Sequence, residues 1–318
     1  MAILLDKIIM NNRPIDYVAD DKLIKAVEIS IALGKPLLVS GEPGTGKTKL
    51  ADYVAAQLHL QTKGQPNAFL PDPLIFNTKS TSVSTDLFYF YDAVSHFRSQ
   101  HADVQTEQFI ELAPLGLAIA QTHGADADAV KSLRGIRNVR EGALLPEPAS
   151  SVVLIDEVDK APREFPNDLL NEMENYQFTI RELNKLVRRA KNDANIIVIL
   201  TSNSEKNLPN AFLRRCVFYH IEFPDKPKLL EIARKRLTID DPVYDKAIEN
   251  AIDRFNEIRQ KAMNKKPSTS EFLDWINLLK ANNLLNAGPY STGTGNPLMD
   301  ASMGVLIKNF DDQKILNT

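Results

Sequence analysis

Apolar positions along this chain change character near residue 224. Before it, short unbroken apolar runs recur: Leu37-Leu38-Val39, Leu74-Ile75-Phe76, Val152-Val153-Leu154-Ile155 and Ile196-Ile197-Val198-Ile199-Leu200. The last two, rich in β-branched residues and free of alternation, predict strands buried on both faces of a parallel sheet; Leu37–Val39 predicts a strand, and Leu74–Phe76 a short buried one. Residues 217–223 (Val-Phe-Tyr-His-Ile-Glu-Phe) alternate instead and predict an edge strand. Between the runs the period becomes helical. Residues 20–34 open on acidic side chains and stop at a glycine, and Leu50, Ala51, Val54, Ala55 and Leu58 form one apolar stripe. Strands separated by helices predict a doubly wound α/β layer.

After Pro224-Asp225-Lys226-Pro227 the strand runs stop, and helical spacing covers 229–237, 244–263, 270–281 and about 298–315. The shift predicts two domains, an α/β one over 1–224 and a smaller all-helical one over 225–318. Residues 286–296 are rich in turn formers and read as a loop. That loop carries Gly288, Gly293 and Gly295, but no strand precedes it and no lysine follows at the right place, so it is not a phosphate loop. From about 86 to 145 the pattern is mixed, with aromatics at Phe88, Tyr89, Phe90, Tyr91 and Phe97; the expectation is an insertion of helices and turns.

Composition narrows the function classes. With 38 basic and 41 acidic residues the net charge is −3, so no global field draws the chain to nucleic acid or to an anionic membrane. Cys216 is the only cysteine, which excludes an intramolecular disulfide and the usual zinc frameworks. Asp6 and Lys7 interrupt the first apolar run too early for a secretory segment, and no window approaches the ~18 apolar residues of a membrane span. The expected setting is cytoplasmic.

One segment carries chemistry outright. Gly41-Glu42-Pro43-Gly44-Thr45-Gly46-Lys47-Thr48 lies between an apolar run and an amphipathic helix pattern. Glycines let the backbone curl with its N–H groups inward around phosphate oxygens, Lys47 adds a mobile cation, and the Thr48 hydroxyl suits Mg²⁺. The helix behind it aims the positive end of its dipole at the same anion. A nucleoside triphosphate is the implied ligand.

Hydrolysis needs a second constellation, and Asp156-Glu157 closes the Val152–Ile155 run, at the end of a parallel strand where ligands bind. Asp156 suits the shell of a hard cation, and Glu157 suits the orientation or deprotonation of an attacking water. Asn203 follows the neighbouring run, where its amide can donate and accept at once; this is favoured over a loop-initiating asparagine because the run before it should lie in the same sheet. Asn77 and Thr78, after the Ile75-Phe76 run, lie where they could modulate Glu157. Arg214 and Arg215 precede the edge strand, and arginine stabilises charge on a transferring phosphoryl group, although surface ion pairing is the commoner use. Lys131, Arg134, Arg137 and Arg140 recur every three residues and read either as a basic stripe or as a solvated face.

In this order, the motifs resemble those of an AAA+ ATPase: a parallel-sheet P-loop core followed by a helical lid. More narrowly, the chain resembles MoxR-type ATPases. The narrower likeness rests on residues 41–48, on Leu154-Ile-Asp-Glu-Val-Asp-Lys-Ala-Pro-Arg-Glu-Phe-Pro-Asn-Asp-Leu-Leu170 and on Leu208-Pro-Asn-Ala-Phe-Leu-Arg-Arg-Cys216, with 86–92 and 304–308 in support. The resemblance implies ATP with Mg²⁺, adenine being implied by the family alone, since no Asn-Lys-x-Asp motif occurs. It implies a homo-oligomeric ring, commonly a hexamer, that remodels a protein client alongside a von Willebrand factor A domain partner. By the same resemblance Lys47 and Thr48 bind phosphates and Mg²⁺, Asp156 and Glu157 form Walker B, Asn203 is sensor 1, and Arg215, with Arg214 next, is the arginine finger.

Two positions depart from that pattern. Ser270 in Pro267-Ser-Thr-Ser-Glu271 stands where the family carries its sensor 2 arginine, leaving Lys265 or Lys266 as substitutes, and Ala113 stands where a glycine is expected before Pro114. Two further readings accompany the remodelling ATPase: a slow nucleotide-gated switch or scaffold, favoured by the missing arginine, and a nucleic-acid motor similar to McrB, disfavoured by the near-neutral charge.

Overall fold

The computed structural model describes residues 17–99, 105–203, 208–237, 244–262, 264–286, 290 and 296–316. Its strands are β1 (Leu37–Gly41), β2 (Asn67–Phe69), β3 (Leu74–Asn77), β4 (Tyr89–Tyr91), β5 (Ile110–Leu112), β6 (Ala149–Asp156), β7 (Gln177–Ile180), β8 (Lys185–Arg188), β9 (Ile196–Ser202) and β10 (Val217–Ile221). Six of them form one sheet in the order β10-β1-β9-β6-β2, with β3 also paired to β6. The pairings of β1 with β9, β6 with β9, and β2 and β3 with β6 are parallel. This is the α/β layer that the apolar runs predict.

Burial explains the absence of alternation. Every residue of β1 and β9 is buried, as is every residue of β6 up to Ile155. The alternating strand β10 is at the sheet edge, as expected. Residues 74–76 differ from expectation: β3 runs along only part of β6, and Ile75 stays 41% exposed, so this strand is half-buried.

The 86–145 segment holds more than helices and turns. Beside the helices Ala93–Arg98 and Pro114–Gln121 it contains the antiparallel pair β4–β5, with Tyr89 opposite Leu112 and Tyr91 opposite Ile110. Three-residue strands are too short to display a period of two, so the sequence pattern hides them. A second antiparallel pair, β7–β8, buries Phe178 and stacks it on Phe88 at 5.1 Å. Ala113 needs no glycine: its φ of −85° and ψ of 170° are ordinary extended backbone, and its N–H reaches the Phe88 carbonyl at 2.9 Å. Gly116 is the constrained position. A Cβ there would lie 2.0 Å from the Phe88 carbonyl oxygen.

The described residues divide into two units. One comprises Asp20–Ser40 and Thr48–His220, and the other comprises residues 17–19, Gly41–Lys47 and the described part of Ile221–Thr318. Helices Lys226–Leu237, Asp245–Lys261 and Thr269–Ala281 of the second unit match the predicted periodic stretches. They share a core in which Phe255 and Phe272 approach to 4.7 Å and the buried Trp275 donates its indole N–H to Ser302 at 3.0 Å. The predicted helix at 298–315 is instead two helices, Pro297–Ser302 and Phe310–Leu316. Asn309 sets the break, since its side chain accepts the Asp311 N–H at 2.8 Å and so caps a new start. Most of the predicted 286–296 loop lies outside the described residues.

Ile199 is fully buried between Leu37 and Leu154 in the sheet registers. Ile199→Ala should cost about 2–5 kcal/mol in urea unfolding, while Ile75→Ala on the half-buried strand should cost clearly less.

Candidate functional site

The glycine loop leaves β1 and runs into the helix Lys47–Thr62. Gly44 has φ +76° and Gly46 has φ +90°, conformations that a side chain disfavours. Space is closed as well. A Cβ on Gly44 would lie 2.7 Å from the Ser270 hydroxyl, and one on Gly46 would lie 3.1 Å from the Tyr17 ring. The buried Lys47 ammonium folds back into the loop, donating to the carbonyls of Gly41 at 2.8 Å and Glu42 at 2.9 Å. Thr45 closes the turn by donating to the Glu42 carbonyl at 2.8 Å.

Carboxylates cluster where β6 ends. Asp156 is the last residue of that strand, and the Thr48 hydroxyl lies 3.1 Å from each of its oxygens. Thr201 in β9 donates its hydroxyl to Asp156 Oδ1 and accepts the Glu157 N–H at 2.8 Å. Glu157 follows with φ +56° and ψ +50°, a left-handed conformation uncommon without glycine. Its side chain pairs with Lys160 and takes the Asn203 amide on Oε1 at 2.9 Å. Asn203 therefore orients the Glu157 carboxylate itself, and its backbone N–H reaches the buried Asp159 at 3.2 Å. Asn77 sits beside Asp156 in register and Thr78 donates its N–H to the Asp156 carbonyl at 3.1 Å; both meet the strand end, with no hydrogen bond to Glu157. The Asp156–Thr48 donor set is oxygen only and fits Mg²⁺, which is held through one or two carboxylates and substrate phosphates.

A family model described as "ATPase family associated with various cellular activities (AAA)" matches residues 37–225, more than half of the chain. The chain belongs to the AAA ATPase family. A search of curated proteins found no match. AAA ATPases bind and hydrolyse ATP and usually assemble as oligomeric rings. Residues 41–48, Asp156, Glu157, Asn203, Arg214 and Arg215 all fall within the matched span of this AAA ATPase.

The two arginines are separate from the carboxylate cluster in their contacts. Arg215 pairs with Glu174 at 2.7 Å, and Arg214 makes no ion pair among the described residues; both are exposed. Lys131, Arg134 and Arg137 pair with Asp128, Asp126 and Glu111 at the surface, which supports the solvated-face reading of that series. Among the described residues no helix is long and apolar enough to cross a membrane.

Beyond the matched span, the serine-rich stretch is a helix start. Ser268 caps Thr269–Ala281 and Glu271 returns the bond to the Ser268 N–H, a reciprocal box visible in the Ser-x-x-Glu spacing. Lys265, one expected substitute for the missing arginine, is tied to Glu271 of that box at 2.9 Å. A cation from the helical segment that does reach the glycine loop is Arg259, which no motif in this AAA ATPase marked: it pairs with Glu42 at 2.8 Å. Thr201 and Asp159 were likewise unmarked, although a threonine closing an apolar strand and an acid three residues past Asp156 are readable signals.

Cys216 follows the arginine pair, and burial pushes its thiol up to about 12 despite the Lys35 charge. Only the thiolate alkylates, so at pH 8 the native protein should react with iodoacetamide about a thousandfold more slowly than the unfolded chain. Equal rates by mass spectrometry would contradict this.

Proposed function

We propose that this chain is a MoxR-type ATPase whose hydrolysis of ATP drives the remodelling of a protein client. One observation carries the reading: Asp156 is held by Thr48, the residue that follows Lys47 of the glycine loop, while Glu157 is held separately by Asn203. Two adjacent carboxylates with different partners are suited to different tasks.

In this reading the loop from Gly41 through Glu42, Pro43, Gly44, Thr45 and Gly46 cradles the triphosphate, and Lys47 turns from its own carbonyls to the terminal phosphates. Thr48 and Asp156 hold Mg²⁺, which supplies charge neutralisation at the phosphate oxygens when bound. Glu157 takes the proton of the attacking water as oxygen bonds to the γ-phosphorus. The bond from that phosphorus to its bridging oxygen breaks, and the electron pair leaves on ADP. Asn203 keeps Glu157 aimed at the water.

Ring assembly, commonly as a hexamer, makes Arg215 of one subunit the finger for the next, with Arg214 as its alternate; exposure of both supports supply in trans. A von Willebrand factor A domain partner and a cytoplasmic setting complete the reading, the first supported by the MoxR-like segments at 154–170 and 208–216 and the second by the single cysteine. Glu157→Gln should keep ATP binding and lower steady-state turnover by about 10²–10⁴. Arg215→Ala should also be slow, and an equimolar mixture of the two variants should regain part of the rate. Wild-type turnover in Glu157→Gln would overturn the chemistry, and a mixture no faster than its components would overturn the trans finger.

A further inference from the structure

Arg259 lies on the helix Asp245–Lys261, and its side chain is only 12% exposed. Its guanidinium carbon sits 3.6 Å from the centroid of the Phe223 ring. One arm donates to the Pro267 carbonyl, and the other donates to Glu42 Oε2 at 2.8 Å. A cation this buried needs compensation by an anion and by hydrogen bonds. Among the described residues Glu42 is the acid that supplies it.

Glu42 belongs to the loop whose carbonyls at Gly41 and Glu42 take the Lys47 ammonium. Pro267 leads into Ser268 and Ser270, whose side chains occupy the space that a Cβ on Gly44 would need. Arg259 thus ties the entry to the helical segment, at Phe223, and the capped helix start after Pro267 to one side chain of the loop. A serine at position 270 is too short to bring a cation to this loop, whereas Arg259 brings one to Glu42. We propose that Arg259 is a positioning residue: through Glu42 it sets the shape of the phosphate-binding loop and couples the helical segment to nucleotide binding. It acts on the loop side chain and does not touch the phosphates. The proposal rests on the reading of the loop as the triphosphate site.

The test is a double-mutant cycle in the full chain, with ATP affinity read from a fluorescent ATP analogue and stability from the melting temperature without nucleotide. Arg259→Met keeps the apolar stem over Phe223, and Glu42→Ala removes a half-exposed carboxylate. Each should weaken binding about fivefold to twentyfold, and the double variant should be no weaker than the weaker single one. Glu42→Ala leaves the buried guanidinium without its acid and should lower the melting temperature; adding Arg259→Met should recover part of that loss without recovering ATP affinity, which separates positioning from folding. If Arg259→Met fails to fold, Arg259→Lys keeps the charge without the fork and should weaken binding in the wild-type background but not beside Glu42→Ala. Additive losses, or wild-type affinity in Glu42→Ala, would overturn the proposal. A wild-type chain that fails to bind the ATP analogue would instead overturn the reading of the loop.

Discussion

The parallel register of β6 on β9 is the constraint on which the carboxylate cluster depends. Ile155 lies opposite Leu200, so the next residue of each strand, Asp156 and Thr201, emerge together at the strand ends. One threonine hydroxyl can then donate to Asp156 and accept the Glu157 N–H. A slip of one residue would turn Thr201 to the opposite face and leave both groups without it. The same strand sets β1 through the pairing of Ser40 with Ser202, and β1 delivers the chain to the glycine loop.

That register also accounts for the backbone at Glu157. A left-handed conformation in a residue with a long side chain is costly, of order 1–3 kcal/mol. It is sustained because the Glu157 N–H, its carboxylate and the neighbouring Asp159 are each fixed by β9 or by Asn203 just beyond it. The turn keeps the Glu157 N–H on Thr201 but carries its carboxylate away from the Asp156 partners, to Asn203 and Lys160. Separation of the two acids is thus a product of backbone geometry rather than of their order in the chain.

Much of this was legible in the sequence, for physical reasons. Unbroken apolar runs disclosed β1, β6 and β9 because those strands are buried on both faces, and the Leu229, Phe255 and Trp275 helices showed because their apolar stripes line one core. The pairs β4–β5 and β7–β8 escaped because strands of three or four residues carry no measurable period. The loop residues, Asp156, Glu157 and Asn203 stood out by motif, and the contacts place Asp156 with Thr48 and Glu157 with Asn203. Arg259 had no such mark: a lone arginine on an amphipathic helix looks like any solvated cation, and only the fold brings it to Glu42 and Phe223. Ser270 was legible as a departure, but the residue that meets the loop was not.

In the proposed function Asp156, fixed by Thr48 and Thr201, makes triphosphate binding depend on a divalent cation. Isothermal titration of ATP with and without Mg²⁺ tests it most directly, on the wild-type chain and on Asp156→Asn. Mg²⁺ should strengthen binding to the wild type, and Asp156→Asn should lose most of this gain while still binding ATP. An equal Mg²⁺ gain in both proteins would contradict it.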